Sequence, residues 1–94
     1  MQEVSELSVT LYSSSFCGAC TSTRQTLDRI APLVGERVEW HEINVADDPA
    51  ASEAAGITAT PTVVITGADG TERMRASGVP TAEHVLHALA AALP

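Results

Sequence analysis

Between Tyr12 and Thr23 the apolar period of this chain changes from two to about 3.6, and the change falls on its only two cysteines. Leu7-Ser8-Val9-Thr10-Leu11-Tyr12 alternates apolar and small polar residues, and its Val, Thr and Tyr favour extended backbone. From Cys20 onward, Cys20, Thr23, Leu27, Ile30 and Val34 recur at three and four residues, the stripe of an amphipathic helix. A strand that turns into a helix at Phe16-Cys17-Gly18-Ala19-Cys20 commits the chain to a layered α/β design. The remaining segments must supply that strand's neighbours.

They read as such. Pro32 ends or kinks the first helix near its last turn, and Gly35 suits the position just after it. Val38 to Val45 is a second strand of mixed pattern. Asp48-Pro49 reads as N-cap and first helical residue of a short alanine-rich helix stopped by Gly56. After the loop Ile57–Pro61, Thr62-Val63-Val64-Ile65-Thr66 is a nearly continuous β-branched run, expected in a strand buried on both faces. Asp69-Gly70 signals a hairpin turn, and Thr71 to Ala76 returns as a polar edge strand. Ser77-Gly78-Val79-Pro80 breaks it, and Thr81 caps a last helix whose stripe is Val85, Leu86, Leu89 and Leu93. The order is β-α-β-α-β-β-α in one domain spanning residues 1–94: a mixed four-stranded sheet flanked by helices. Helices between the first three strands favour parallel crossovers. Any hydroxyl of Ser13-Ser14-Ser15 is a candidate cap for the first helix.

Composition narrows the function classes. A formal net charge of −7, spread along the chain, repels phosphate backbones and argues against nucleic acid as a partner. No apolar stretch approaches the ~20 residues needed to cross a bilayer. Met1-Gln2-Glu3-Val4-Ser5-Glu6 is acidic and lacks the features of a signal peptide. The expectation is a monomer of the reducing cytoplasm, where a permanent disulfide staple is unusual.

In that setting the cysteine pair has three readings. As a redox dithiol, Cys17 stands where strand gives way to helix, and unpaired N–H groups with the helix macrodipole stabilise a thiolate there. The thiolate is the attacking species. Cys20, one turn later, is placed to attack the resulting mixed disulfide, and Gly18 leaves the outer sulfur open to an approaching one. As a zinc site, the pair lacks ligands, because four are needed and His41, His84 and His87 lie elsewhere in the pattern. A metal cluster shared between two chains, or cysteines that only pack, complete the alternatives. The strand-to-helix setting favours the redox reading, with no metal and no cofactor beyond the Cys17–Cys20 disulfide itself.

The order of elements, the Cys17-Gly18-Ala19-Cys20 pair, and Thr60-Pro61-Thr62 before an apolar strand together resemble the thioredoxin/glutaredoxin superfamily, from Leu7 to Leu93. The resemblance implies a thioredoxin-like fold and a thiol–disulfide oxidoreductase acting on disulfide-containing proteins. It further implies that Cys17 is the nucleophile, Cys20 the resolving thiol, and Pro61 a cis-proline facing them. Phe16, Gly18, Ala19, Thr60 and Gly78 would surround the substrate, with the Thr60 backbone offered to an extended segment. A cis bond before proline costs only about 0.5–1 kcal/mol, against ~3 before other residues.

The sequence also departs from thioredoxins. Phe16 stands where they usually carry Trp, Ala19 where they carry Pro, and Leu11 where they bury an aspartate. Glu42 falls where they place a lysine, and it is a candidate proton acceptor for Cys20; the alternative is an ordinary solvated strand carboxylate. Ser77-Gly78-Val79 matches the thioredoxin glycine loop better than the glutathione-holding segment of glutaredoxins, whereas Val9 to Cys17 reads like a glutaredoxin opening. Two electron donors are therefore in view, a reductase or a low-molecular-weight thiol. A non-catalytic binding module of the same fold is the alternative from another class. Trp40 is assigned to the core, and Arg24, Arg73 and Arg75 to the solvated surface.

Overall fold

A computed structural model describes residues 5–93. The reading of the N-terminus therefore falls partly outside it, at residues 1–4. The elements follow the expected order: β1 (Leu7–Ser13), α1 (Gly18–Val34), a 3-10 turn (Gly35–Arg37), β2 (Val38–Asn44), α2 (Pro49–Ala54), β3 (Thr62–Gly67), β4 (Glu72–Ser77) and α3 (Ala82–Ala92). The sheet runs β2-β1-β3-β4, so the strand that precedes the cysteines lies inside it.

Direction is where pattern and structure part. β1 and β2 are parallel, as a helical crossover requires, but β3 runs antiparallel to β1, with Leu7 opposite Gly67 and Tyr12 opposite Thr62. The expected second parallel crossover does not occur. The connection 45–61 contains only the short helix α2, and β3 starts opposite the end of β1, with Thr62 facing Tyr12. The chain therefore re-enters the sheet at the end where β1 and β2 finish. That reversal delivers Thr60-Pro61 to the same end of the sheet as Cys17. β3 and β4 then form the hairpin, closed by Gly67 N–H to Thr71 O at 2.9 Å and by Gly70 at φ 84°.

One face of the sheet carries the core. Leu7, Val9 and Leu11 of β1, Val38 of β2, and Val63 and Ile65 of β3 pack against Leu27 and Ile30 of α1 and Val85 and Leu89 of α3. α1 and α3 also touch each other. β3 is buried at Thr62, Val63, Val64 and Ile65, as the β-branched run suggests, and Trp40 packs half-buried against the cluster. On the opposite face, Arg75 of β4 donates to the carbonyls of Ala55 (2.6 Å) and Gly56 (3.4 Å), satisfying acceptors left open at the end of α2. Arg75 is thus a structural side chain, not merely a solvated one.

The helix ends follow capping chemistry. Asp48 accepts from Ala51 N–H at 3.0 Å with Pro49 behind it, and Thr81 accepts from His84 N–H at 3.0 Å. α1 tolerates Pro32 for two further residues and stops at Gly35, φ 65°. Among the described residues no helix is long and apolar enough to cross a membrane.

Candidate active site

α1 is capped by neither Ser13, Ser14 nor Ser15. Cys17 itself occupies the N-cap, in extended conformation, and its sulfur accepts the backbone N–H of Cys20 at 3.0 Å. The serines are occupied elsewhere. Ser13 donates to Glu42 at 2.9 Å, Ser14 shares a hydrogen bond with the Thr60 hydroxyl at 2.8 Å, and Ser15 accepts from the Asn44 amide at 3.3 Å. Each ties the turn before Cys17 to a neighbouring element, so sulfur is left to serve the helix.

Cys17 and Cys20 are joined as a disulfide, with Cα atoms 5.2 Å apart. Their surroundings differ. Cys17 is half-buried at the surface, and Cys20 is 1% exposed, facing inward beside Thr23 on the buried side of α1. Phe16 holds the left-handed backbone, φ 58°, and its ring projects fully into solvent. An L-residue in that region costs roughly 1–2 kcal/mol, and no feature of the sequence announces it. A Cβ at Gly18 would meet no protein atom within 4 Å, so its openness matters to an incoming molecule alone.

The loop entering β3 lies at the same end of the sheet as Cys17. The Thr60–Pro61 peptide bond is cis. Pro61 accepts the N–H of Gly78 at 2.9 Å, and the Thr62 hydroxyl donates to Ala59 O at 2.6 Å. Among the described residues no hydrogen bond takes up the backbone N–H or carbonyl of Thr60. Phe16, Cys17, Gly18, Ala19, Thr60, Pro61 and Gly78 thus gather at one end of the sheet. Val79, which follows Gly78, is a half-exposed apolar side chain.

Glu42 is held differently from the expectation. Arg24 forms a fork with it, Nε to Oε1 at 2.7 Å and Nη2 to Oε2 at 2.6 Å, while Ser13 bonds Oε2. The guanidinium, with help from Ser13, holds this carboxyl below the usual range, and the carboxylate in turn raises Arg24. A carboxylate so engaged is a weak base, which counts against the proton-acceptor role. Arg24, assigned to the solvated surface, is instead half of an ion pair beside the cysteines. No local pattern announces the pairing, because its partner lies eighteen residues on in β2. His84 and His87 are exposed on α3, and the described residues contain no group of three or more His, Cys, Asp or Glu arranged to hold a metal ion.

Residues 9–68 match the family model for glutaredoxin. The chain belongs to the glutaredoxin family. It is also similar, at 29% identity over 86 residues, to a thioredoxin of Methanocaldococcus jannaschii, covering 92% of this chain and 95% of that protein. A second relative is NADPH-dependent thioredoxin reductase 3 of Arabidopsis thaliana, 36% identical over 53 residues, which are 56% of this chain and 10% of that protein. In fold it resembles thioredoxin-2 of a malaria parasite, with a TM-score of 0.87 at 13% identity, covering 96% of this chain and 86% of that one. A member of this thioredoxin-like superfamily with its CxxC cysteines in disulfide contact is a thiol–disulfide oxidoreductase, and its redox group is the protein's own Cys17–Cys20 pair.

Proposed function

We propose that residues 1–94 act as one thioredoxin-like domain that reduces protein disulfides in the cytoplasm, with Cys17 attacking and Cys20 resolving. The observation that carries this reading is the asymmetry of the pair: a surface sulfur at a helix N-cap receiving an N–H, above a buried one. In the reduced protein the same N–H and helix end favour the Cys17 thiolate. That thiolate attacks one sulfur of a substrate disulfide, forming a mixed disulfide and expelling the other sulfur as thiolate. Cys20 gives up its proton to water and attacks the Cys17 sulfur, and the second substrate thiolate leaves. Two electrons pass to the substrate, and the pair closes to the disulfide.

The free backbone of Thr60 supports strand-like pairing with the segment around the substrate cysteine. The exposed ring of Phe16, adjacent to Cys17 in the chain, offers apolar contact to a substrate. For the electrons, the likeness to part of a thioredoxin reductase supports a reductase donor. The match to the glutaredoxin model supports a second reading, in which a low-molecular-weight thiol is the donor and mixed disulfides with it are the substrates.

Cys20→Ser separates the two. Loss of protein-disulfide reduction, with a trapped adduct on Cys17, supports the dithiol reading. Persistence of most of the activity toward small mixed disulfides, with little protein-disulfide activity in the parent, would favour the second. Retention of protein-disulfide turnover by the variant would overturn the proposed division of labour.

A further inference from the structure

Glu42 holds together the two segments that flank Cys17 in sequence. Ser13 is the last residue of β1, and Arg24 lies one turn beyond Cys20 on α1. Arg24 and Glu42 both line a polar groove of about 450 Å³ that also contains Cys17, Thr21 and Asn44. The rest of that lining is uncharged. Leu11, directly opposite Glu42 in the β1–β2 register, carries no charge either. On the other side of the cysteines Thr60, Pro61 and Gly78 are neutral. The neighbouring titratable groups, Asp28 and His41, line the adjoining groove on the far side of the pair, and His41 is tied to Glu39 at 2.8 Å.

We propose that the Arg24–Glu42 pair sets the reactivity of Cys17: joined, the two charges cancel in the groove beside the sulfur, and the thiolate is left to the helix end and the Cys20 N–H. This rests on the reading of Cys17 as the attacking thiolate. It assigns Arg24 and Glu42 as positioning residues that act through the cysteine, not as groups that touch substrate.

The consequence is a pair of opposite shifts. With Glu42 neutralised, Arg24 keeps an uncompensated positive charge in the groove, which favours the thiolate and makes the couple more oxidising. With Arg24 neutralised, Glu42 keeps a negative charge, which disfavours the thiolate and makes the couple more reducing. A purely mechanical role, in which the fork only steadies the first turns of α1, would move both variants the same way.

The test titrates the Cys17 thiolate by ultraviolet absorbance in the reduced protein, comparing the parent with E42Q, R24Q and the double variant at low and high salt. The expected result is a midpoint lower in E42Q and higher in R24Q, each by about half a pH unit at low salt. The double variant returns close to the parent, and both displacements shrink at high salt. Shifts of the same sign, or none in either variant, overturn the proposal. A parent midpoint at or above the ~8.5 of free cysteine would instead count against Cys17 as an activated thiolate; the displacement between the variants is read independently of that starting point.

Discussion

The backbone N–H of Cys20 donates to the sulfur of Cys17 across 3.0 Å, so the residue that caps α1 is also the proposed nucleophile. A hydroxyl at that cap would give the helix the same bond without the chemistry. Here Ser13, Ser14 and Ser15 are drawn off to Glu42, Thr60 and Asn44, and sulfur takes their place. In the proposed mechanism, helix capping and activation of the nucleophile would share this one contact.

That contact predicts unequal thiols. In the reduced protein Cys17, half-buried and favoured as thiolate, is expected to react with iodoacetamide at neutral pH roughly tenfold or more faster than Cys20, which is 1% exposed. Peptide mapping after brief alkylation reads the ratio. Equal labelling would remove the asymmetry on which the mechanism depends.

Phe16 makes no claim on the core, since its ring lies in solvent. Phe16→Ala is expected to change unfolding stability by no more than about 0.5 kcal/mol. It should lower kcat/KM several-fold for a protein disulfide while leaving a small aromatic disulfide nearly unaffected. A parallel loss on both substrates would place Phe16 in the chemistry and not in docking.

The depressed carboxyl of Glu42 gives a pH dependence with a definite sign. Its ordinary value is 4.5, and the folded protein holds it lower, chiefly through Arg24. The unfolded chain therefore takes up that proton first as pH falls. The group's contribution is full above about 4.5 and is lost as pH drops through the folded-state value. Side-chain exposures of 42% for Arg24 and 37% for Glu42 keep it modest. Glu42→Gln should flatten the acid limb of Tm against pH between 6 and 3 relative to the parent. An unchanged limb would mean the fork adds nothing to folding.

α1 is fastened to the sheet by Ile30, 1% exposed within the core cluster. Ile30→Ala should cost about 3 kcal/mol through lost burial and the cavity left behind. Denaturant midpoints check this. A loss under about 1 kcal/mol would mean the helix is held mainly by its ends.

How far the sequence reveals this molecule follows from what each feature depends on. Strands and helices were legible because Leu7–Tyr12, the Cys20–Val34 stripe and the Thr62–Thr66 run carry their periods locally. The direction of β3 was not, since it depends on how the connection 45–61 packs at the end of the sheet and on no local period. Cys17, Cys20 and the Thr60-Pro61 pair stood out through their spacing. The Arg24–Glu42 fork did not, because a salt bridge between a helix and a strand eighteen residues apart needs the packing of α1 on β2 to exist first. Phe16 at φ 58° has no local signature either.

On this reading Cys17 and Cys20 work as one reversible two-electron couple. Equilibrating the protein in buffers of graded thiol-to-disulfide ratio, quenching with an alkylating agent and counting modified cysteines by mass tests it most directly. The expected result is a single transition in which both thiols open and close together. A pair that stays closed or open across the whole series, or that opens one sulfur at a time, would contradict it.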